Sequence, residues 1–342
     1  MIRVLVAEDS AVAREYLLYL LGRDPAVAVV GVAHNGLEAV ELTHRLRPDV
    51  IVMDLHMPQM DGLTATRRIM EQVPTPVVVV SASLDHTDLD ATVETLHAGA
   101  LTVVEKPTGL GHPDQEQMAR HLVQTLKLMA DVKVVRRRAP RSVSSALVCA
   151  PPARAQPLRV IAIGASTGGP EVLAEILGSL PAELKVPVLV VQHIAAGFIA
   201  NLAEWLNSSS RLRVQMAAEG EPAQSGSVYI APDGLQMGIE RDGRIRLRQG
   251  PDVAGFCPSV TYLMQSVAAA FGSAVMGILL TGMGRDGAAG LLRISQTGGI
   301  TIAQDEASCV VFGMPAEAIR IGAAQQILSP TQIVRAILRH AT

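Results

Sequence analysis

The sequence is poor in aromatic residues and lacks any long apolar run. Phe, Trp and Tyr together make up 3% of its 342 residues, too few for the stacking surface that single-stranded nucleic acids need. The formal net charge of −3 gives no general attraction for a polyanion, so we expect no nucleic-acid partner. No segment reaches the roughly 18 uninterrupted apolar residues that span a bilayer, so we also expect no membrane insertion.

Cysteine is scarce as well. Cys149, Cys257 and Cys309 lie far apart and form no Cys-x-x-Cys pair, a pattern that favours reduced thiols. Cys257 or Cys309 could be proposed as a nucleophile, but neither has the basic neighbours that activate a thiol. The N-terminus reads as an apolar strand that leads into acids, not as a signal peptide. These features predict a cytoplasmic protein.

Short apolar runs carry most of the hydrophobic content, which is 49% of the chain. Runs such as VVVVSA and AVMGILLTG are typical of strands buried on both faces of a parallel sheet. At roughly 150 residues per domain, the length indicates two domains. Residues 1–130 alternate strand and helix five times, which predicts a doubly wound α/β sheet. The strands are predicted near 2–8, 27–33, 50–54, 76–82 and 101–105, and the helices near 11–22, 36–46, 62–72, 86–98 and 114–130.

Residues 131–157 differ in composition from both flanking regions. They hold six basic residues against one acid, together with four prolines and three serines. Such a segment packs no core and predicts a flexible basic linker; a tail that binds nucleic acid or an acidic partner is the alternative. Residues 158–342 resume the alternation and predict a second doubly wound α/β domain. Its strands are predicted near 159–164, 187–192, 227–231, 275–281 and 299–303.

Charged side chains follow the predicted strands of the first domain, at the edge where open α/β sheets place their sites. Glu8 and Asp9 end the first strand, Asp54 ends the third and Lys106 ends the fifth. Clustered carboxylates repel one another and suit Mg²⁺. With Mg²⁺ bound, Asp54 can attack a phosphoryl group, Lys106 can balance its charge, and Ser81, at the end of the fourth strand, can donate a hydrogen bond to it. Taken singly, each residue could instead be a solvated surface group.

This set of strand-end residues closely resembles a response regulator receiver domain, over residues 1–130. The resemblance implies a flavodoxin-like fold and phosphorylation of Asp54 by a histidine kinase. It also implies four Mg²⁺ ligands, namely Glu8, Asp9, Asp54 and the carbonyl of His56. Receivers usually carry an aromatic residue three positions before the lysine, where this chain has Val103.

The most informative segment is IAIGASTGGPE, in which an apolar strand breaks at Ser166 and a helix begins near Pro170. Such a turn presents a serine hydroxyl at the sheet edge, beside the positive end of the helix. A phosphate-binding loop is the alternative, but neither the GK[ST] nor the GxGxxG spacing is present.

A serine nucleophile needs a base. His193, which follows the strand VPVLVVQ, is the candidate, because the second domain's only other histidine, His340, stands third from the end.

Four acids could orient the imidazole of His193. Asp286 follows a buried strand in a Gly-rich turn, whereas Asp233 occupies an ordinary Pro-Asp-Gly turn. Spacing leaves Asp305 and Glu306 open as well. With Asp286, the chain order is serine, histidine, aspartate, which differs from the serine, aspartate, histidine order of the α/β-hydrolases.

The order of these residues and the segments GASTGGP, QHI, TGMGRDG and VVFGMP closely resemble the chemotaxis protein-glutamate methylesterase (CheB) family. With the receiver-like domain and the linker, the resemblance covers essentially the whole chain. It implies a Rossmann-like catalytic domain with Ser166 as nucleophile, His193 as base and Asp286 as the residue that orients it. It also implies that the Met283 backbone N–H lies in the oxyanion hole, with Thr167 beside it.

The resemblance implies that the enzyme hydrolyses glutamate methyl esters on methyl-accepting chemotaxis receptors and deamidates receptor glutamines. It also implies that phosphorylation activates the enzyme and that the esterase reaction needs no cofactor. Three positions depart from the family pattern: it often has histidine at Gln236, and it usually has arginine at Cys257 and aspartate at Thr261. An esterase of another signalling array is therefore an alternative. A response regulator whose second domain only binds a partner is the alternative from another class.

Overall fold

The protein is described by a computed structural model over residues 1–81, 95, 98–107, 115–130, 132, 157–195, 197–250 and 255–341. Most of the helix predicted near 86–98 and of the linker predicted over 131–157 lies outside these described residues, so both stay predictions. No helix in the described ranges is long and apolar enough to cross a bilayer.

The first sheet has five parallel strands in the order β2-β1-β3-β4-β5. Its strands are confirmed close to their predicted bounds, since each is a continuous Val- and Ile-rich run that the sheet buries. The strands are β1 (Ile2–Ala7), β2 (Val27–Ala33), β3 (Val50–Asp54), β4 (Val77–Ser81) and β5 (Thr102–Glu105). The described helices are α1 (Ala11–Gly22), α2 (Gly36–Leu46), α3 (Gly62–Gln72) and α4 (Gln115–Ala130).

Polar caps start the first three helices directly after the strand-end loops. Ser10, Asn35 and Asp61 each accept, through the side chain, a backbone N–H of the first helical turn. Such caps satisfy donors that a helix end leaves open. They fix where each strand-end loop stops, and so hold the acidic residues at the sheet edge.

The second sheet has seven parallel strands in the order β14-β13-β12-β6-β7-β9-β8. Its strands are β6 (Val160–Ala165), β7 (Val188–Gln192), β8 (Arg213–Met216), β9 (Ser227–Ile230), β12 (Val275–Leu279), β13 (Ile300–Gln304) and β14 (Gln326–Leu328). An antiparallel hairpin joins β10 (Gln236–Ile239) to β11 (Ile245–Arg248). The helices are α5 (Gly169–Gly178), α6 (Ile199–Ser209), α7 (Val260–Phe271), α8 (Ala288–Gln296), α9 (Met314–Arg320) and α10 (Pro330–Ala341).

Two apolar clusters cover the two faces of this second sheet. Ile161 and Ile163 of β6 enter one cluster, while Val160 and Ala162 enter the other. Because successive side chains of a strand point to opposite faces, both faces of the sheet are buried. The α/β class and the doubly wound parallel sheets are thus confirmed. The sequence analysis missed four strands, β8, β10, β11 and β14, each only three or four residues long.

Candidate active site

Ser166 stands directly after β6, in the turn before α5, and is partly exposed. Its backbone N–H donates to the carbonyl of Thr281 at 3.0 Å, and its own carbonyl accepts from the N–H of Gly169 at 2.8 Å. Gly168 has φ 74°, in the left-handed region that glycine enters without steric cost. The strand, turn and helix predicted around Ser166 are therefore present, with the serine at the carboxyl edge of the sheet.

Gln192, the last residue of β7, links the Ser166 turn to His193. Its buried amide donates through Nε2 to the carbonyl oxygens of both Ser166 and His193, each at 2.8 Å. The N–H of His193 donates in turn to the carbonyl of Ala165 at 2.9 Å. One amide thus fixes the backbones of the two candidate residues. Sequence reasoning assigned Gln192 no role; the available signal was an amide at the end of a buried apolar strand.

The imidazole of His193 faces Asp286. Nε2 lies 3.1 Å from Asp286 Oδ2, with 10% of the imidazole exposed. At this distance the ring lies close enough to stabilise the Asp286 charge, although neither ring nitrogen makes a hydrogen bond of good geometry in the described part of the chain. No hydrogen bond joins the Ser166 hydroxyl to His193 among these residues. Catalytic hydrogen bonds of this kind often form only in the substrate complex.

Asp286 is held by the start of α7. Its carboxylate accepts from the Ser259 hydroxyl at 2.9 Å, from the Val260 N–H at 2.8 Å and from the Thr261 N–H at 3.0 Å. Burial raises the pKa of this carboxyl, but His193 and Thr261 stabilise the charged form and lower the pKa to about 2. The group is therefore a buried carboxylate that keeps its charge at neutral pH.

The other candidate acids are engaged elsewhere. Asp233 accepts the Gly197 N–H at 2.8 Å, and its pKa is raised by burial against the lowering effect of that bond. Asp305 accepts the Ser308 N–H at 3.1 Å and begins a short 3₁₀ turn that includes Glu306. Of the four acids, Asp286 is the one with a described contact to the imidazole.

The segment after β12 lies directly against the serine. A Cβ placed on Gly282 would come within 2.6 Å of the Ser166 Cβ, so only glycine fits there. Met283 follows, and no described residue accepts a hydrogen bond from its N–H or from that of Thr167. The Thr167 carbonyl is fixed by the Thr281 hydroxyl at 2.9 Å. Two backbone donors therefore remain open beside the serine, in the part of the chain that the structure describes.

The two cysteines proposed as alternative nucleophiles differ in setting. Burial and the nearby charge of Asp305 raise the pKa of the Cys309 thiol to about 12, so it stays protonated and is not a nucleophile at neutral pH. Cys257 is partly exposed and follows Phe256. The Phe256 ring, which sequence reasoning did not single out, stacks on the imidazole of His193 at 4.1 Å between centroids and 5° between planes.

A second group of charged residues meets at the carboxyl edge of the first sheet. Lys106 Nζ lies 2.7 Å from Glu8 Oε2 and 3.1 Å from Asp54 Oδ2. Glu8 and Asp54 are buried, whereas Asp9 is exposed, and carboxylate oxygens of the three lie within 4.8 Å of one another. The structure thus brings together the strand-end residues that the sequence predicts. His56 lies in the loop after β3 with its side chain exposed.

The charged groups of this acidic cluster shift one another's pKa. Burial raises the pKa of Glu8, Lys106 lowers it and Asp54 raises it, with a net upward shift. Burial lowers the pKa of Lys106, but Glu8 and Asp54 outweigh it and raise the pKa. One ammonium therefore faces two buried carboxylates. Ser81 is buried at the end of β4, and its carbonyl accepts the Lys106 N–H at 2.8 Å.

The loop that carries His193 also contacts the first domain. Phe198 is only 1% exposed and belongs to the apolar cluster on one face of the first sheet, which includes Met57 and Val103. Ile194 and Ala195 are partly buried against the same cluster. The residues that follow the candidate base thus lie between its own domain and the acidic-cluster domain.

Comparisons with known proteins agree over both domains. Residues 161–337 match the family model described as CheB methylesterase, and residues 4–132 match that of the response regulator receiver domain. The chain is 46% identical to "Protein-glutamate methylesterase/protein-glutamine glutaminase 1" of Syntrophus aciditrophicus, covering 100% of this chain and 99% of that protein. It is 48% identical to "Protein-glutamate methylesterase/protein-glutamine glutaminase 4" of Geobacter metallireducens, covering 98% of each. The crystal structure of the Thermotoga maritima CheB methylesterase catalytic domain matches with a TM-score of 0.52 and 36% identity, covering 53% of this chain and 98% of that one.

Proposed function

Because the chain belongs to the CheB methylesterase family and carries a receiver domain before the catalytic domain, we propose that it hydrolyses glutamate methyl esters on methyl-accepting chemotaxis receptors. The chain is an enzyme of the protein-glutamate methylesterase/protein-glutamine glutaminase class. We assign the reaction to Ser166, His193 and Asp286. The contact between His193 and Asp286, beside a serine at a strand–turn–helix junction, is the observation that carries this assignment.

In the proposed first step, the Ser166 hydroxyl attacks the ester carbonyl. Since Nε2 of His193 faces Asp286, Nδ1 is the ring nitrogen left to accept the serine proton. The ionised Asp286 stabilises the imidazolium that forms. The open N–H groups of Met283 and Thr167 would stabilise the oxyanion, as preorganised donors do in other acyl-transfer sites.

Collapse of this intermediate breaks the ester C–O bond. His193 returns the proton to the leaving oxygen, methanol departs and a glutamyl ester of Ser166 remains. Water then attacks this acyl-enzyme with His193 again as base, which releases the glutamate side chain and restores the serine. With a receptor glutamine, the same route breaks the C–N bond and releases ammonia. No step needs a cofactor.

The acidic cluster of the receiver domain supports Mg²⁺-dependent phosphorylation. The buried Glu8 Oε2 lies 2.7 Å from Lys106 Nζ, and the Glu8, Asp9 and Asp54 oxygens converge. This donor set fits Mg²⁺, which prefers carboxylate oxygen and water; the His56 carbonyl is the fourth protein ligand we propose. Bound Mg²⁺ would neutralise charge on the incoming phosphoryl group, Asp54 would accept that group from a histidine kinase, and Lys106 and Ser81 would hold its oxygens.

We propose that the receiver domain restrains the catalytic domain until Asp54 is phosphorylated. The buried Phe198, five residues after His193, joins the receiver's apolar cluster, so a change in the receiver can reach the loop that carries the base. Val103 occupies the position where receivers usually have an aromatic residue and lies in this same cluster. A few kcal/mol from one phosphoryl charge is enough to shift a modest interface of this kind.

The proposed partners are chemoreceptors as substrate and a histidine kinase as phosphodonor. A cytoplasmic location would suit both partners. An esterase that serves another signalling array remains the alternative, because Gln236, Cys257 and Thr261 lie around the Asp286 network.

The deciding experiment measures methanol release from methylated receptor, with and without a phosphodonor, beside a Ser166→Ala control. Absence of serine-dependent methanol release would contradict the proposed substrate.

A further inference from the structure

Gln236 departs from the family pattern, and its side chain binds two residues that contact the proposed catalytic residues. It begins β10 and is 1% exposed. Its Oε1 accepts the Ser259 N–H at 2.9 Å, and its Nε2 donates to the Phe256 carbonyl at 2.9 Å. One buried amide thus spans both ends of the segment 256–259.

The two ends of that segment contact different members of the catalytic set. At one end, the Phe256 ring lies parallel to the imidazole of His193 at 4.1 Å. At the other end, the Ser259 hydroxyl donates a hydrogen bond to Asp286. Ser259 is also the N-cap of α7, and the N–H of Val260, the first residue of that helix, donates to the same carboxylate. A change in the distance between Phe256 and Ser259 would therefore move the base relative to its acid.

The chemistry of the bridge restricts which side chain can form it. The bridge needs one donor and one acceptor, and a primary amide offers both. Glutamate keeps the length and the acceptor but loses the donor, so a carboxylate would face the Phe256 carbonyl. A neutral histidine offers one ring N–H and one ring acceptor. These differences allow the bridge to be tested with little change in volume.

We infer that Gln236 is a positioning residue for hydrolysis, holding the His193–Asp286 pair through Phe256 and Ser259. This inference rests on the proposed catalytic assignment. A misplacement of about 1 Å caused away from the reacting atoms can cost about 100-fold in rate. Because the described bonds of Gln236 go to the backbone of Phe256 and Ser259, its loss should lower kcat and leave KM unchanged.

The test uses the full chain with the substitutions Gln236→Glu and Gln236→His. Gln325→Glu is the control for an amide-to-carboxylate change away from the site, because the exposed Gln325 also bridges a backbone N–H and a carbonyl, those of Thr301 and Gly299, where β13 begins. Ester hydrolysis gives kcat and KM, and the rate at which a fluorophosphonate labels Ser166 reports the nucleophile without any receptor. All rates are measured well below each variant's unfolding temperature.

We expect Gln236→Glu to lower kcat and the labelling rate together by about 10- to 100-fold, with KM within about threefold of wild type. The kcat and labelling rate of Gln236→His should stay within about fivefold of wild type, and those of the control should match wild type. A purely structural bridge would lower the unfolding temperature and leave the kcat of the folded molecule unchanged, which would overturn the inference. Equal losses in the Glu and His variants would overturn the role of the two hydrogen bonds.

A second variant, Phe256→Leu, keeps the test decisive if Gln236→Glu does not fold. It removes the ring from His193 and should cause a similar loss of kcat, and the double variant should lose little more than either single one. Losses that multiply in the double variant would show that Gln236 does not act through Phe256. Equal labelling of wild type and Gln236→Glu would contradict this inference alone, whereas no labelling of Ser166 in wild type would contradict the catalytic assignment.

Discussion

The Asp286 carboxylate lies 3.1 Å from the imidazole of His193 and also receives the N–H of Val260, the first residue of α7. A single buried group therefore faces the proposed base and caps a helix. Helix N-termini favour negative charge, so the position that suits the cap also keeps the carboxylate ionised. This dual role makes Asp286 measurable by stability as well as by rate.

Stability should depend on pH through Asp286. Its pKa is lowered from 3.8 in the unfolded chain to about 2 in the folded chain. The charged carboxylate therefore stabilises the fold fully at pH values above about 4, and this contribution is lost as the pH falls toward 2. At about 1.4 kcal/mol per pKa unit, the contribution is roughly 2 to 3 kcal/mol. The unfolding free energy of Asp286→Asn should therefore be lower than that of wild type at pH 7. The difference between the two unfolding free energies should become smaller toward pH 2.5. Trp205, the only tryptophan, reports unfolding of the catalytic domain, and a gap independent of pH would contradict the assigned ionisation.

Replacing the serine should remove activity without removing the fold. Ser166→Ala keeps the backbone bonds of the turn, since these use the main chain of Ser166. We expect ester hydrolysis to fall by more than about 1,000-fold, as for other nucleophile losses, with an unfolding temperature close to wild type. Activity within about tenfold of wild type would rule out Ser166 as nucleophile.

Phosphorylation should require Asp54 and its acidic neighbours. We expect a small phosphodonor with Mg²⁺ to add one phosphoryl group at Asp54, and Asp54→Ala to prevent this addition. Glu8→Gln should raise the Mg²⁺ concentration needed, because it removes one of two buried carboxylates beside Lys106. Intact mass and peptide mapping provide the measurement, and a phosphoryl group found at another residue would disprove the assignment.

The catalytic domain should be restrained by the receiver. We expect a fragment of residues 158–342 to be more active than the unphosphorylated full chain, and phosphodonor to raise only the full chain. Phe198→Ala should raise the unphosphorylated activity of the full chain, because it removes a buried contact with the receiver cluster. Ile327→Ala, on the exposed edge strand β14, is the control. Equal rates for the fragment and the unphosphorylated full chain would show that the receiver does not inhibit.

The order of elements and the chemical types of the site could be predicted from local pattern alone. Buried parallel strands are continuous apolar runs, and their carboxyl ends meet at one edge, so Glu8, Asp54 and Lys106 could be placed together before any coordinates. The same rule put Ser166 and His193 at one sheet edge. The short strands β8, β10, β11 and β14 escaped because three or four residues make no periodic signal.

What the tertiary structure decided is how groups distant in the chain meet. Spacing left Asp233, Asp305 and Glu306 open beside Asp286, and only the packing of α7 against the loop after β12 brings Asp286 to His193. The side chains of Gln192 and Gln236 bind backbone atoms up to 26 residues away along the chain. Amide hydrogen bonds of this kind depend on distances of about 3 Å between groups that no local pattern relates, so the sequence determined which groups are available and the fold determined which of them touch.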